Sequence, residues 1–216
     1  TVLSRGLGDV YKRQENVLDP LMDVIFASGN AGKVREMQQL LPPVGLQLKS
    51  LKDFGLSGAE ETATTFVENA LIKARAAAHS AQLPAIADDS GLVVRALNGE
   101  PGVYSARYAG EDGNDAANNT KLLAKLSNQE DRRAYFFCCL AFLQHPNDPT
   151  PKIAFGRWHG EILQQPQGDG GFGYDPLFYV ADQRVTAAQM NSTLKNQLSH
   201  RGQACQALLA QLQNQI

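Results

Sequence analysis

Apolar and polar positions along the chain follow two different periods, and each change of period marks a predicted element. Residues 22–27 (MDVIFA) form a short β-rich run that ends at Ser-Gly-Asn, which predicts a buried strand entering a turn. In the next ten residues, GKVREMQQLL, apolar positions recur at helical spacing, and Pro42-Pro43 end the helix. Residues 46–51 alternate like a second strand. A long alanine-rich helix is predicted from Phe66 to about Ser80.

Paired strands dominate the second half of the pattern. AIADD and GLVVRAL predict two strands, or one strand and its continuation around a tight turn at Ser90-Gly91. RAYFFCCLAFLQH and KIAFGRWHGEI predict a β-hairpin joined by the loop 145–151. DAANNTKLLAKL and SHRGQACQALLAQLQ predict helices, GEPGVYSARYAGEDG predicts a loop, and PQGDGGFGYDPLFYV predicts a loop entering a strand. Helices alternate with strands first and paired strands come later, so the predicted fold class is mixed α/β.

The length of 216 residues suits one domain, or one domain with two lobes. Residues 1–21 differ in character from the rest of the chain, because they lack the apolar stretch of a signal peptide and carry Asp9 and Glu15, which do not suit a transit peptide. Met22, directly before a strand, resembles a natural start. We therefore expect residues 1–21 to be an artefactual or unstructured extension, or a short disordered arm, and residues 22–216 to form the folded domain.

Charge and cysteine content exclude several classes of function. A net charge of −2 without any Lys/Arg run argues against a nucleic-acid partner. The longest apolar run, AYFFCCLAFL, is too short to span a bilayer, so no membrane association is expected. Three cysteines without metal-ligand or disulfide spacing indicate reduced core residues, which fits the cytoplasm.

The glycine-rich segment SGNAGK, from Ser28 to Lys33, lies between a predicted strand and a predicted helix. Backbone N–H groups at a helix N-terminus favour an anion, glycines allow close approach of the backbone, and Lys33 adds a positive charge. The segment is not a Walker A loop, because its glycines are too close together and Val34 replaces the Ser/Thr that would hold magnesium. A plain βα turn with an exposed lysine is the alternative to phosphate binding.

The start of the long helix carries a second group of polar residues. Thr65 and Glu68 have the spacing of a capping box, which explains Glu68 structurally. Glu60 and Glu61 precede the helix, where its dipole favours negative charge. Lys73 lies four residues after Asn69 on one helix face, where a surface lysine is the commoner interpretation. These residues do not by themselves establish a site.

Two adjacent acids, Asp88 and Asp89, come after a buried apolar run and precede Ser90. In an extended backbone consecutive side chains point to opposite sides, so only one acid can face a given site. A divalent cation would relieve their repulsion, and magnesium typically takes one or two carboxylates plus substrate phosphates. An Asx turn is the alternative, but a turn needs only one such acid, so we favour a functional role.

The last two segments could hold a flat, acceptor-rich ligand. GGFGYDP places Phe172 and Tyr174 between glycines, where one ring could stack on a base and the other could belong to the core. In SHRG, Ser199 is a plausible N-cap, but His200 and Arg201 put positive charge against the positive end of a helix dipole. That placement makes sense if a ligand group rich in acceptors lies there.

Six ordered motifs, SGNAGKVREM, TFVENALIKA, ADDSGLVV, PGVYSARYAG, GGFGYDP and LSHRGQA, resemble those of the inosine triphosphate pyrophosphatase family. The resemblance covers about residues 24–213. It implies a two-lobed α/β fold around a long mixed sheet, a homodimer and Mg²⁺ dependence. The implied reaction converts the purine nucleoside triphosphates ITP, dITP or XTP to the monophosphate and pyrophosphate.

The resemblance also implies roles for individual residues. Asp89 would bind magnesium and activate water, Glu61 would be the second magnesium ligand, and Lys33 and Lys73 would stabilise charge on the phosphates. His200 and Arg201 would donate to the purine 6-oxo group. The remaining implied substrate-binding residues are Ser28, Gly29, Asn30, Ala31, Gly32, Ser90, Phe172, Gly173, Tyr174, Asp175 and Lys195. Two rival functions stay open: a related pyrophosphatase for other modified nucleotides, and a catalytically silent nucleotide-binding regulator.

Overall fold

The computed structural model describes residues 22–41, 46–110 and 113–213. The predicted extension over residues 1–21 and the predicted helix stop at Pro42-Pro43 lie outside the described residues. The described chain forms one seven-stranded mixed sheet flanked by helices, which confirms the predicted α/β class. No helix in these ranges is long and apolar enough to cross a membrane.

Within the described ranges the chain forms seven strands and five helices, with short 3-10 turns between them. The strands are β1 (Met22–Phe26), β2 (Leu46–Ser50), β3 (Ala85–Val94), β4 (Arg133–Leu143), β5 (Lys152–Ile162), β6 (Phe178–Val180) and β7 (Val185–Thr186). The helices are α1 (Ala31–Leu40), α2 (Phe66–Ala81), α3 (Asp115–Lys125), α4 (Ser192–Leu198) and α5 (His200–Gln213).

The strand order is β2-β1-β3-β4-β5-β6-β7. The pairs β1–β2 and β1–β3 are parallel and all later pairs are antiparallel. Helices α1 and α2 connect the parallel strands, and α3 lies in the connection between β3 and β4. The predicted hairpin is formed by β4 and β5, which pair from Arg133–Glu161 to Phe142–Lys152.

Alternation along β3 sends successive side chains into two different cores. Ile86 belongs to a cluster with residues of α1 and α5 on one face of the sheet. Ala85 and Ala87 belong to a cluster with the alanines of α2 on the other face. Asp88 therefore points toward α1 and α5, and Asp89 points toward α2, as the period of two requires.

The tight turn predicted at Ser90-Gly91 is wrong, because β3 runs without interruption from Ala85 to Val94. Gly91 serves instead as a contact point for the loop that comes after the strand. A Cβ at this position would lie 2.3 Å from the Gly102 carbonyl oxygen. The predicted loop around PGVYSAR contains a 3-10 helix, Gly102–Arg107, which packs on β3 at this glycine.

The predicted helices are confirmed, but α4 was missed because its sequence, STLKNQL, has almost no apolar stripe. Asn191 caps it by accepting a hydrogen bond from the Leu194 N–H at 2.9 Å. Ser199 ends α4 and caps α5, since its hydroxyl oxygen accepts a bond from the Gly202 N–H at 3.2 Å. The two helices meet so closely that a Cβ at Gly202 would lie 1.8 Å from the Asn196 carbonyl oxygen.

Candidate active site

A pocket of about 730 Å³ opens where β1, β3 and the N-termini of α1 and α5 come together. Most of the residues singled out from the sequence line it. They are Ser28, Gly29, Asn30, Lys33, Glu61, Lys73, Ser90, Phe172, Gly173, Tyr174, Asp175, Lys195, His200 and Arg201. Ala31, Gly32 and Asp89 do not line this pocket.

The glycine-rich turn is built as the N-terminus of α1. Asn30 caps the helix, and its Oδ1 accepts a bond from the Lys33 N–H at 3.0 Å. Gly29 has open space around it, as expected where a ligand approaches the backbone. Gly32 has a different reason to be glycine, because a Cβ there would lie 2.8 Å from the ring of Phe172. It leaves room for that aromatic ring.

Asp88 is a buried anion surrounded by donors. Lys33 Nζ lies 2.6 Å from its Oδ1, and Arg201 Nε lies 2.8 Å from its Oδ2. The Ser90 hydroxyl donates at 2.8 Å and the Cys138 thiol at 3.3 Å. Burial raises the pKa of Asp88, but the charges and hydrogen bonds of Arg201 and Lys33 outweigh it and hold that pKa well below its usual value.

Asp89 has a much poorer set of partners. Its Oδ1 accepts one bond from Lys73 Nζ at 2.7 Å, and its Oδ2 is buried without a partner among the described residues. Burial raises the pKa of Asp89 to about 6, because the Lys73 charge compensates only in part and Glu61 adds repulsion. Lys73 lies between Asp89 and the pocket.

Glu61 shares Lys73 with Asp89. Its Oε1 lies 2.6 Å from Lys73 Nζ, and its Oε2 lies 3.1 Å from Nη1 of Arg107. Burial raises the pKa of Glu61, but these two cations outweigh it and leave the pKa below its ordinary value. Lys73 thus contacts two carboxylates. Burial lowers the pKa of its ammonium, but the charges and hydrogen bonds of Asp89 and Glu61 outweigh burial, so the pKa of Lys73 is raised.

Arg201 lies at the opposite side of the pocket and is 2% exposed. Its three guanidinium nitrogens donate to Asp88, Glu36 and Ser90. The positive charge at the start of α5 is therefore neutralised within the protein. The predicted donation from Arg201 to a purine base stays a prediction. It would have to use the guanidinium N–H groups that are not engaged in these three hydrogen bonds.

His200 is buried and stacks on Phe136, with ring centroids 4.8 Å apart and planes inclined by 13°. Its Nδ1 has no hydrogen-bond partner among the described residues. Burial, and then the Arg201 charge, hold the pKa of His200 well below its usual value, so the ring is neutral. His200 lines the pocket, and a buried nitrogen without a partner in the protein is one that a water or a ligand normally satisfies.

The two aromatic residues of the 170–176 loop have different roles. Tyr174 is 4% exposed and its hydroxyl donates to the Ser105 carbonyl at 2.8 Å, so this ring belongs to the structural core. Phe172 is half-buried, and Lys195 Nζ lies 5.1 Å from its ring centroid. Asp175 anchors the loop, since its Oδ2 accepts bonds from the Phe172 N–H at 2.9 Å and from Lys195 at 2.6 Å.

The carboxylates of Glu61 and Asp89 fit a hard cation. In the three described ranges no group of three or more His, Cys, Asp or Glu residues could hold a metal by itself. Magnesium needs only one or two carboxylates when phosphate oxygens complete its shell. The unpartnered Oδ2 of Asp89, beside a Glu61 that converges on the same lysine, supplies such an incomplete set.

Comparison with known proteins identifies the family. The model of the Ham1 family matches residues 24–211. This chain belongs to the Ham1 family.

Curated and solved Ham1 relatives agree with this assignment. The chain is 52% identical to a dITP/XTP pyrophosphatase of Shigella flexneri and 50% identical to that of Escherichia coli K12, in each case over 90% of this chain and 100% of the relative. Among solved structures it is similar to a HAM1 protein from Coxiella burnetii, with a TM-score of 0.83, 46% identity, and coverage of 89% of this chain and 99% of that one. The predicted family resemblance is confirmed.

Two charged residues inside the Ham1 match were missed from the sequence. Glu36 on α1 accepts hydrogen bonds from Lys195 at 3.0 Å and from Arg201, and so bridges these two cations. Its position one helical turn after Lys33 was the available signal. Arg107 lies in the segment predicted as a loop, and only its position in a motif with aromatic residues marked it.

Proposed function

We propose that the protein hydrolyses deaminated purine nucleoside triphosphates, dITP, ITP and XTP, to the monophosphate and pyrophosphate in the pocket described above. The carrying observation is that this single pocket joins a helix N-terminus with three lysines, Glu61 and a histidine whose Nδ1 is unsatisfied. Asp89 lies directly behind the pocket wall, bonded to the same Lys73 as Glu61. The names of relatives that are 50–52% identical support the same reaction.

The phosphate tail is bound by the N-terminal turn of α1 and by the lysines. Gly29 has open space around it at the positive end of the helix, and Ser28 and Asn30 flank it in the pocket wall. Lys33 and Lys73 supply positive charge for the oxygens on which negative charge develops during cleavage. Both lysines are already oriented by Asp88 and Asp89, so little reorganisation is needed when the nucleotide arrives.

Asp89 acts as the general base that takes a proton from the attacking water. Its pKa of about 6 leaves it ionised at neutral pH yet far more basic than an ordinary aspartate. Lys73 holds Oδ1 and leaves Oδ2 without a partner among the described residues, so the carboxylate keeps lone pairs for a proton as well as for a cation.

Glu61 and Asp89 would hold a magnesium ion together with phosphate oxygens. When bound, the ion would neutralise phosphate charge and favour ionisation of the attacking water. The chain's own part is to keep Glu61 and Asp89 close through Lys73, which donates to both at 2.6 and 2.7 Å.

Base selection takes place at His200 and its surroundings. A neutral His200 with a proton on Nδ1 would donate to the 6-oxo group of hypoxanthine or xanthine. The 6-amino group of adenine would leave that donor unpaired, and such mismatches discriminate strongly. Phe172 and Lys195, which also line the pocket, would contact the nucleotide. Asp88 and Glu36 hold Arg201 in place, with its guanidinium 5.9 Å from the Phe172 ring centroid.

We also propose a homodimeric, magnesium-dependent enzyme that works in the cytoplasm. These three properties rest on the family resemblance, together with the reduced cysteines and the carboxylate pair described above.

A steady-state assay with identified products tests the function. Purified protein and Mg²⁺ are incubated with dITP, ITP, XTP, ATP, dUTP and dTTP, and pyrophosphate and monophosphate are quantified. We expect 6-oxo purines to be turned over at least a hundredfold faster than ATP, with pyrophosphate rather than single phosphate released. No preference for 6-oxo purines would favour a pyrophosphatase for other nucleotides. Tight binding without product release would favour the regulator.

A further inference from the structure

Arg107 lies at the rim of the pocket on a rigid support. It ends the 3-10 helix Gly102–Arg107, whose Ser105 hydroxyl donates to the Gly102 carbonyl at 2.6 Å and accepts from the Leu92 N–H of β3 at 2.9 Å. The Tyr174 hydroxyl binds the Ser105 carbonyl from the other side. The backbone of Arg107 is therefore fixed relative to β3, while its side chain lines the pocket and is 29% exposed.

Both carboxylate oxygens of Glu61 are taken up by cations in this structure. Oε1 accepts from Lys73 at 2.6 Å, and Oε2 accepts from Arg107 Nη1 at 3.1 Å. Arg107 Nη2 also lies 3.5 Å from the Glu61 carbonyl oxygen. Glu61 cannot offer Oε2 to a magnesium ion while Arg107 occupies it, because a guanidinium and a divalent cation repel each other at that distance.

The two cations on Glu61 differ in their freedom to move. Lys73 is buried, with 8% of its side chain exposed, and short bonds to Glu61 and Asp89 hold it on both sides. Arg107 is more exposed and makes longer bonds, and its guanidinium lies 5.4 Å from the ring centroid of Tyr104, which is itself 54% exposed. Arg107 is the partner that can leave.

We propose that Arg107 is a phosphate-binding residue that exchanges its contact with Glu61 for the phosphate tail when substrate binds. This inference rests on the proposed function. A guanidinium suits this exchange because its planar fork binds phosphate oxygens in a bidentate manner. The move releases Oε2 of Glu61 for the cation that accompanies the phosphates, so phosphate binding and metal binding support each other.

Binding experiments on the full chain test the exchange without relying on turnover. Pyrophosphate affinity is measured by calorimetry with and without Mg²⁺, and Mn²⁺ affinity without phosphate is measured by electron paramagnetic resonance. We expect Arg107→Gln to weaken pyrophosphate binding by about tenfold or more, the loss typical of hydrogen bonds to charged groups. Mn²⁺ binding should stay equal or become tighter, because Glu61 loses a competing cation. Arg107→Lys should lose less pyrophosphate affinity than Arg107→Gln.

Arg95→Gln is the matched control, because Arg95 also lies in a 3-10 turn but is 69% exposed and does not line the pocket. It should change neither affinity. Pyrophosphate binding by Arg107→Gln within twofold of wild type, or no pyrophosphate binding by wild type in either condition, would overturn the exchange. Parallel weakening of Mn²⁺ binding would also overturn it, since Arg107 would then only position Glu61. The proposed function is judged separately, by dITP turnover of the wild-type chain.

Discussion

Asp88 and Asp89 are neighbours on β3, almost equally buried, yet the sheet gives them opposite chemical properties. Asp88 is 1% exposed and accepts from two cations, a hydroxyl and a thiol. Asp89 is 3% exposed and accepts from one lysine that it shares with Glu61. Burial acts to raise both pKa values. At Asp88 the charges and hydrogen bonds of Arg201 and Lys33 outweigh burial and hold the pKa well below its ordinary value, whereas at Asp89 the Lys73 charge compensates only in part and Glu61 adds repulsion, so the pKa is raised to about 6.

The difference extends beyond the two acids. Asp88 lies within a chain of alternating charges with no excess of either sign: Lys33, Asp88, Arg201, Glu36, Lys195 and Asp175. The chain containing Asp89 is Arg107, Glu61, Lys73 and Asp89, and it ends in the unpartnered Oδ2. A network in which every charged group has its partners stabilises the fold, whereas a network that ends in an acceptor without a partner is suited to proton transfer. We therefore assign stability to the Asp88 side and proton transfer to the Asp89 side.

The largest expected effect is on turnover when Asp89 is changed. Asp89→Asn removes the proton acceptor but keeps the shape of the side chain, so kcat for dITP should fall by about 10²–10⁴-fold. Circular dichroism and thermal melting should show an intact fold. A rate near that of wild type would remove Asp89 from the mechanism and with it the assignment of chemistry to this side.

The next effect is on stability when Asp88 is changed. Asp88→Asn removes the anion that Lys33 and Arg201 share and leaves Arg201 paired with Glu36 alone, and breaking a buried pair in this way costs about 3–5 kcal/mol. The free energy of unfolding is measured by urea denaturation at pH 7. Because the folded-state pKa of Asp88 is depressed, its contribution is present above the unfolded-state pKa and is lost as the pH falls below it. A loss of less than 1 kcal/mol would mean that the network around Asp88 adds no stability.

The sequence predicted the contrast between the two acids only in outline. Extended geometry at Asp88 and Asp89 was enough to separate them onto two faces, since the side-chain period of a strand is fixed. Their environments depend on Arg201 and Lys73, and Arg201 lies 113 positions from Asp88. Such contacts arise from packing of α5 on the sheet and not from any local pattern.

Errors in the prediction have similar causes. Ser90-Gly91 has the composition of a turn, but pairing with β4 along the whole of β3 overrides that local preference. The role predicted for Gly32 in phosphate binding stays a prediction, and the contact that the structure adds, with Phe172, depends on a loop that lies 140 residues away. Helix α4 was missed because a polar helix becomes informative only once its packing partner is known, and Glu36 was missed because its partner Lys195 lies on that helix.

A smaller effect appears when the stability of Asp89→Asn is measured across a range of pH. The folded-state pKa of Asp89 is raised to about 6, so its favourable contribution is present below the unfolded-state pKa of about 4 and is lost as the pH rises through 6. Asparagine carries no such penalty, so Asp89→Asn should be more stable than wild type by about 1–3 kcal/mol at pH 7. The advantage should shrink toward pH 4, as measured by urea unfolding across this range. An advantage that does not depend on pH would contradict the raised pKa.

The smallest effect concerns base selection, which the Asp88 side supports through Arg201. His200→Phe keeps a ring that can stack on Phe136 but removes the unsatisfied Nδ1. The ratio of kcat/KM for dITP over dATP should fall about tenfold, the loss expected for one hydrogen bond in a buried site. The fall of kcat toward acid pH should keep its midpoint, because it reports protonation of Asp89, which lies on the other face of the sheet. If this midpoint shifted together with the selectivity, the two sides would be coupled, and the assignment of separate roles to the neighbouring aspartates would be wrong.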